Sequence, residues 1–235
     1  RVIVLDRPNP NAHYIDGPVM EENCKSFVGL HPVPIVYGMT IGEYALMING
    51  QKWLKNKVKC DLTVIECENY WHSKEYILPV SPSPNLQSKK AIALYPSLCL
   101  FEGTVISVGR GTKRPFEIIG HPSYKNSKYT FTPKSMYGSK NPPFKNQTCY
   151  GVDVKNENPL RLNSLNLKYL INAYNALKEK TTFFNKNLFF DKLSGNKKLR
   201  EQIIKGLNEN EIRKTWQEDL NKFKQIRKKY LLYND

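Results

Sequence analysis

The sequence predicts an α/β fold followed by a smaller α+β part, and three observations support this prediction. Short apolar runs typical of buried strands alternate with helical patterns in the first half of the chain. This alternation favours a layer with at least partly parallel strands. After Pro122 the composition shifts toward Lys, Ser, Tyr, Pro and Asn, and helical periodicity returns from Leu165. We therefore divide the chain into residues 1–122 and residues 123–235.

The first elements follow from local patterns. Val2–Leu5 is predicted to be a buried strand that stops at Asp6-Arg7-Pro8-Asn9-Pro10, because two prolines prevent its continuation. Thr40 begins a helix, with Glu43 three residues later in the capping-box pattern. Leu62–Ile65 is predicted to be a second short buried strand.

The end of the first part combines a rigid loop with an apolar segment. Ser81-Pro82-Ser83-Pro84-Asn85 is predicted to be a non-helical loop. Ala91–Phe101 is apolar and is interrupted by Pro96. We interpret this segment as a strand that carries the carboxylate of Glu102 at its tip.

The second part is predicted to contain loops, short strands and three helices. Residues 123–150 have a loop-like composition. A second helix is expected over Leu199–Leu207, and a third from about Asn208, where Glu211 completes another capping box, to Phe223. The first helix is marked by an apolar stripe at helical spacing: Leu167, Leu170, Ile171, Tyr174 and Leu177.

The charge of the chain points to an anionic partner. The 235 residues include 36 basic and 21 acidic side chains, which gives a net charge of +15. Nucleic-acid recognition favours the guanidinium fork, but only eight of the basic residues are arginines and 28 are lysines. A solvated lysine-rich surface is therefore favoured over a nucleic-acid site, and no nucleic-acid partner is predicted. An anionic cell-wall polymer fits the same charge.

Several other classes are excluded by composition. Hydrophobic residues make up 40% of the chain, enough for a sizeable core, and no apolar run is long enough to span a bilayer. The five cysteines form no CxxC pair, so no metal site is predicted and buried free thiols are expected. The sequence contains no P-loop, no GxGxxG, no G-x-S-x-G and no HExxH.

The candidate chemistry is therefore that of carboxylate, arginine and asparagine side chains. Asp6 follows a strand end, Glu102 follows an apolar segment, and Arg110 lies between two glycines that allow close backbone approach to a ligand. Each has a structural alternative: Asp6 caps a turn, Glu43 only completes its capping box, and Glu102 pairs with Arg110 or Arg114. Paired carboxylates suit the hydrolysis of carbohydrate.

Several segments stand in a fixed order along the chain: Asp6–Pro10, Asp16–Pro18, Ser26–Gly29, Tyr37–Glu43, Pro82–Asn85, Tyr95–Pro96, Phe101–Thr104, Gly109–Thr112, Pro115–Glu117 and Gly120. The sequence ends with the tail Tyr230-Leu231-Leu232-Tyr233 before two further residues. Taken in this order, the segments resemble the NamZ family of exo-β-N-acetylmuramidases, and the tail is similar to the ending of members from Bacteroidetes-type bacteria. The resemblance extends over essentially the whole chain.

The resemblance implies a Rossmann-like domain and a smaller auxiliary domain, with the substrate in the cleft between them. It implies hydrolysis that releases terminal β-linked N-acetylmuramic acid from peptidoglycan fragments, in the periplasm or outside the cell. No cofactor is expected.

Two departures from the family pattern bear on the site. Family members carry an N-terminal Glu-His-Gly segment whose glutamate is the proposed catalytic acid, and no histidine of this sequence is followed by glycine. We expect the Rossmann-like domain to be incomplete in this sequence, because the chain opens on a strand that belongs inside the domain. Tyr37 stands where many relatives have histidine.

The resemblance then assigns roles within the chain. Glu102 is expected to be the partner carboxylate in catalysis, and Arg110 to bind the lactyl carboxylate of the sugar. The other expected substrate-binding residues are Asp6, Arg7, Asn9, Glu43 and Asn85. The alternative function is a non-catalytic module that binds cell-wall glycan through its lysine-rich surface.

Overall fold

The structure, a computed structural model, describes residues 1–124, 127–154, 162–179 and 181–235. Strands and helices are mixed along the chain. The strands are β1 (Val2–Leu5), β2 (Asp16–Val19), β3 (Pro34–Val36), β4 (Leu62–Ile65), β5 (Ile118–His121), β6 (Tyr129–Phe131) and β7 (Cys149–Asp153). The α-helices are α1 (Ile41–Gly50), α2 (Lys89–Leu98), α3 (Lys168–Leu177), α4 (Phe189–Ser194), α5 (Lys198–Ile204), α6 (Glu209–Lys214) and α7 (Gln217–Arg227).

Strands β1 and β4 form a parallel two-stranded sheet, and α1, which lies between them in the chain, contacts both. The predicted mixed α/β architecture is therefore confirmed. The expected burial of these strands is wrong, since Val2, Ile3, Leu5 and Ile65 are exposed. The reason is that, in the described part of the chain, no further strand extends this sheet.

Residues 91–101 are helical, so their interpretation as a strand is wrong. Ser88 caps α2 by accepting a hydrogen bond from the backbone N–H of Ala91, and a 3-10 helix, Cys99–Gly103, continues from its end. Pro96 lies inside α2 and cannot donate to the carbonyl of Ile92. The side-chain amide of Asn11 donates to that carbonyl instead, at 3.1 Å. This distant donor explains how the helix tolerates its proline.

The second half contains an antiparallel sheet in the order β5-β7-β6. The short strands expected between residues 123 and 150 are confirmed by β6 and by the start of β7. Strand β5 ends at His121 and pairs with β7, so this sheet joins residues on both sides of the predicted boundary at Pro122. The boundary itself stays a prediction.

The three predicted helices of the second half are present. The third is divided into two helices, and the described residues contain a further helix that was not predicted. Helix α3 carries the predicted apolar stripe, and α5 covers most of the predicted range Leu199–Leu207 but ends at Ile204. The third predicted helix is divided into α6 and α7 at Trp216, whose ψ is 2°. The short helix α4 was not predicted, because it has six residues, too few for a periodic pattern, and it follows Leu188 at φ 55°.

A single large hydrophobic cluster joins the helices and the antiparallel sheet, and a smaller one joins the two ends of the chain. The smaller cluster packs Met39 and Met47 against Phe223 of α7. Within the described residues, no helix combines the length and apolar character needed to cross a bilayer. The side chains at the centre of the large cluster include Leu94, Leu98, Phe101, Phe116, Ile119, Leu167 and Phe190.

Gly103 is required by the packing of α4 on the 3-10 helix. A Cβ at this position would lie 2.4 Å from Phe190 Cα, a backbone atom that no rotamer change can move. We therefore expect Gly103→Ala to lower the free energy of unfolding by about 2 kcal/mol through overpacking. Urea denaturation measures this difference. Gly29→Ala is the control, since its nearest atom is a flexible methionine sulfur at 3.4 Å, and an equal loss in both variants would contradict the explanation.

Candidate active site

Glu102 and Arg110 form a partly exposed ion pair. Arg110 Nη2 and Nε both donate to Glu102 Oε1, at 2.6 and 3.1 Å. The Glu102 side chain is 24% exposed and the Arg110 side chain 30%. Gly109 and Gly111 have φ of 76° and 80°, which lets the tight turn present Arg110 between them. No hydrogen bond from the described residues reaches Glu102 Oε2. The pair therefore offers a carboxylate oxygen and a cation to a ligand.

An aromatic wall lies beside this pair. The guanidinium of Arg110 sits 5.2 Å from the ring centre of Phe116, and Tyr95 packs edge-on against the same ring. Burial raises the pKa of Tyr95 to about 12, and the nearby Cys99 and Glu102 add to the effect. Tyr95 is therefore protonated at neutral pH and carries a hydroxyl near Glu102.

Arg114, the alternative partner of Glu102, is bound elsewhere. Its guanidinium donates to both oxygens of Asp153 at 2.7 Å and to Glu117 at 3.2 Å. Its hydrogen bonds to Asp153 are the main reason that the pKa of Arg114 is raised above its usual value. Glu117 also accepts from the hydroxyl of Ser88, the cap of α2. Arg114 is therefore a structural residue that ties β7 to the start of α2.

Asn85 fixes a neighbouring turn. It lies in the turn closed by Ser83 and Leu86, is 7% exposed, and donates from Nδ2 to the carbonyl of Gly138 at 2.9 Å. Gly138 and Tyr137 form the tip of the opposite turn, and Tyr137 is 85% exposed. Asn85 therefore positions this aromatic side chain.

Asp6 holds the loop after β1 in place. Its carboxylate accepts from Thr40 Oγ1 at 2.7 Å, from the backbone N–H of Gly42 at 2.8 Å and from the hydroxyl of Tyr233 at 2.7 Å. Arg7 is exposed. These contacts match the structural alternative for Asp6, and its contact with substrate stays a prediction.

Asn9 works in the same loop. Its Nδ2 donates to the carbonyl of Met39 at 2.8 Å, and its Oδ1 accepts from the backbone N–H of Asn11. Both side-chain polar atoms are thus used to shape the loop. A role for Asn9 in substrate binding also stays a prediction.

Glu43 lies at the centre of a buried network. The capping box with Thr40 is confirmed, and the carboxylate also accepts from His72 Nε2 at 2.8 Å and from the backbone N–H of Leu232 at 2.8 Å. Burial disfavours the charged form, but the bonds from His72, Thr40 and Leu232 outweigh it and hold the pKa of Glu43 below its usual value. Glu43 is fully buried, so its capping box is only part of its role.

The C-terminal tail closes this network. The Tyr233 hydroxyl accepts from the backbone N–H of Cys67 at 2.8 Å, and the backbone N–H of His72 donates to the carbonyl of Asn234 at 2.8 Å. Asp235 Oδ1 lies 2.6 Å from Arg227 Nη2 and 3.0 Å from His72 Nδ1. The spacing of the histidines did not single out His72. The family-like tail motif was the one signal for Tyr233.

A cavity of about 400 Å³ lies between the N-terminal loops and α2. It combines polar and apolar side chains, and Lys89 forms an ion pair with Glu75 at its wall. None of the seven predicted site residues lines it, although Asn9 directly precedes the lining residue Pro10. Residues that line the cavity include Pro10, His13, Ser73, Lys89, Ile92 and Asn163.

The predicted site residues thus fall into separate groups. Asp6 and Glu43 meet through Thr40, and Glu102 meets Arg110, whereas Asn85 bonds to the turn at Gly138. Among the described residues, no three His, Cys, Asp or Glu side chains gather as metal ligands do. The Glu102–Arg110 pair presents a carboxylate, the group that glycosidases use in pairs, and the cavity is lined by both polar and apolar side chains.

The chain belongs to the NamZ family. The family model for "Exo-beta-N-acetylmuramidase NamZ, N-terminal" matches residues 1–90, and the model for its C-terminal part matches residues 93–233. The chain is 34% identical over 249 residues to "Peptidoglycan beta-N-acetylmuramidase NamZ" of Bacillus subtilis (strain 168). That match covers 98% of this chain and 59% of the relative, so the chain spans about three fifths of the relative's length.

Two solved structures from Bacteroides fragilis NCTC 9343, both of DUF1343 family proteins, share the fold. The first has a TM-score of 0.96 and 49% identity, and the match covers all of this chain and 67% of that one. The second has a TM-score of 0.79 and 26% identity, with coverage of 99% and 66%.

The buried network makes stability depend on pH. Because the folded-state pKa of Glu43 is lowered, its contribution is complete above the ordinary pKa of a glutamate and is lost as the pH falls through the lowered value. We expect Glu43→Gln to cost about 3 kcal/mol at neutral pH, and less under acid conditions. Urea denaturation over a pH series measures both effects.

The matched control is Glu211→Gln, which changes the exposed capping-box glutamate of α6. Its expected cost is below about 1 kcal/mol. A Glu43→Gln cost that is as small as the control's, or that does not change with pH, would contradict the role given to Glu43.

Proposed function

We propose that the protein acts as an exo-β-N-acetylmuramidase that releases terminal N-acetylmuramic acid from peptidoglycan fragments. The observation that carries this proposal is the consecutive match of the N-terminal and C-terminal NamZ family models to residues 1–90 and 93–233. The Bacillus subtilis relative is named a peptidoglycan β-N-acetylmuramidase. A peptidoglycan-derived sugar is accordingly the proposed substrate.

The architecture that we propose has a Rossmann-like domain in residues 1–122 and an auxiliary domain in residues 123–235. The parallel pairing of β1 with β4 around α1 supports the Rossmann-like assignment. The cavity of about 400 Å³ supports a cleft site, because Asn163 of the proposed second domain lines it together with residues of the first. The substrate would lie in such a cleft.

The proposed chemistry divides the two carboxylates of a glycosidase between different segments. Glu102 lies beside Arg110, and its Oε2 receives no hydrogen bond from the described residues, so it is the proposed partner carboxylate within this chain. The resemblance assigns the acid to a Glu-His-Gly segment, which does not occur in this sequence. The activity is therefore proposed for a protein that contains both Glu102 and a Glu-His-Gly segment. Its substrate implies a periplasmic or secreted location.

Replacing the partner carboxylate tests this assignment. With a chromogenic β-N-acetylmuramide, and with the Glu-His-Gly segment supplied, we expect Glu102→Gln to lower kcat by roughly 100-fold or more, because a positioned carboxylate contributes about that much. Glu218→Gln, an exposed carboxylate on α7, is the control and should keep full activity. A parent protein without activity would refute the proposed function.

Arg110 is predicted to select the sugar. We expect Arg110→Lys to raise KM for the muramide roughly tenfold, because lysine cannot reproduce the planar guanidinium contact with the lactyl carboxylate. A matched N-acetylglucosaminide has no such carboxylate, so its turnover should not change. Steady-state kinetics on both glycosides make this comparison, and equal effects would show that Arg110 acts only through Glu102.

The alternative function is a non-catalytic module that binds cell-wall glycan. The net charge of +15 favours it. This alternative predicts salt-sensitive binding to peptidoglycan that survives Glu102→Gln, in a protein without glycosidase activity. Binding that is absent, or that does not depend on salt, would count against it.

A further inference from the structure

An open groove of about 340 Å³ lies between the end of α3, the loop that follows it and α5. We call it the aromatic groove and define it by the rings Tyr174 and Phe184, the apolar Leu188 and Ile204, and the cations Lys178 and Lys186. None of these residues belongs to the predicted site.

The two rings are held rigidly. Their centres are 5.7 Å apart, and Phe184 packs edge-on against the fully buried Phe190 at 4.8 Å. Phe183, which is 3% exposed, supports Tyr174 at 5.4 Å. Because these contacts anchor the rings to the core, the groove presents a preformed apolar surface.

The loop that carries Phe184 is tied to the turn of Glu102. Asn185 donates from its backbone to the carbonyl of Gly103 at 3.0 Å and from Nδ2 to the carbonyl of Glu102 at 3.3 Å. Phe184 also forms an isolated bridge with Thr104. The aromatic groove therefore has a fixed position relative to the Glu102–Arg110 pair.

The charges at the groove are positive. Lys178 and Lys186 are exposed, and neither forms an ion pair with the described residues. Arg200 also lines the groove, but its guanidinium is bound to Asp191 at 2.7 and 2.8 Å. No Asp or Glu is among the described residues that line it. Two free ammonium groups beside an aromatic surface match an anionic ligand with an apolar face.

We propose that the aromatic groove binds the carboxylate-bearing glycan strands of peptidoglycan, as a second contact besides the Glu102–Arg110 pair. This ligand class rests on the proposed function. The C–H face of a pyranose ring packs on an aromatic side chain, and the carboxylates of the strand pair with lysines. Single-stranded nucleic acid also stacks on aromatic rings, but its phosphates favour arginine, and Arg200, the arginine among the described lining residues, is already paired.

Charge reversal tests the cationic part of the groove. In co-sedimentation with purified peptidoglycan at low salt, we expect the double variant Lys178→Glu/Lys186→Glu to bind roughly tenfold more weakly. The control Lys55→Glu/Lys57→Glu has the same net charge and changes two exposed lysines near α1. Equal weakening in both variants would show a general charge effect and overturn the proposal.

Ring removal tests the aromatic part. We expect Tyr174→Leu to weaken binding, whereas Tyr174→Phe, which keeps the ring, binds like the parent; thermal unfolding checks that both are folded. Unchanged binding of Tyr174→Leu would overturn the proposal. The proposal would also be overturned if single-stranded DNA bound more tightly than glycan and if Lys178→Glu/Lys186→Glu abolished this DNA binding.

Activity on the small chromogenic muramide separates this proposal from the proposed function. The groove variants should keep the parent's rate on that substrate, because none of the altered residues belongs to the Glu102–Arg110 pair that is proposed to bind a single muramide. If the protein has no activity but its binding to peptidoglycan depends on the groove, the proposed function is refuted and the groove proposal stands. If the protein is fully active but its binding does not depend on the groove, the proposed function stands and the groove proposal is overturned.

Discussion

A fully buried glutamate, Glu43, needs hydrogen-bond donors on both oxygens, and these donors come from its own capping box and from two distant parts of the chain. Thr40 begins α1, His72 follows β4, and Leu232 belongs to the tail. An ionised carboxylate without them would be costly in this position. The packing of the first segments against the last therefore relies on this buried charge as well as on the hydrophobic cluster of Met39, Met47 and Phe223. Asp6 extends the same arrangement through Thr40 and Tyr233, so the loop after β1 is fixed by it as well.

Local signals in the sequence were sufficient for elements whose cause is local. Both capping boxes form as predicted, because each needs only four residues in a row. At residues 91–101 the apolar composition led to the wrong prediction of a strand. The helix forms despite Pro96, because Asn11, distant in the chain, supplies the hydrogen bond that the proline cannot. The burial expected for Val2–Leu5 failed for a related reason, since apolar composition predicts a strand but not the layers that cover it.

In the candidate site, too, local contacts could be predicted from the sequence and contacts between distant residues could not. The pairing of Glu102 with Arg110 could be anticipated from an arginine between two glycines close in sequence. The buried contacts of Asp6 and Glu43 could not, because their partners at Tyr233, His72 and Leu232 are far away in the chain. The cavity near Pro10 and the aromatic groove also combine separate segments. The spacing of residues in the sequence does not predict such surfaces, because their residues come together only in the folded chain.

The tail contact also bears on the order in which the chain can fold during synthesis. Glu43 and Leu232 are 189 residues apart, so the ribosome completes α1 long before it makes the donor of this bond. Domains commonly begin to fold from the N-terminal side while translation continues. Here the hydrogen bond from Leu232 to the carboxylate cannot form until residue 232 has emerged. The buried hydrogen-bond network around Glu43 is therefore completed only after the tail has been synthesised.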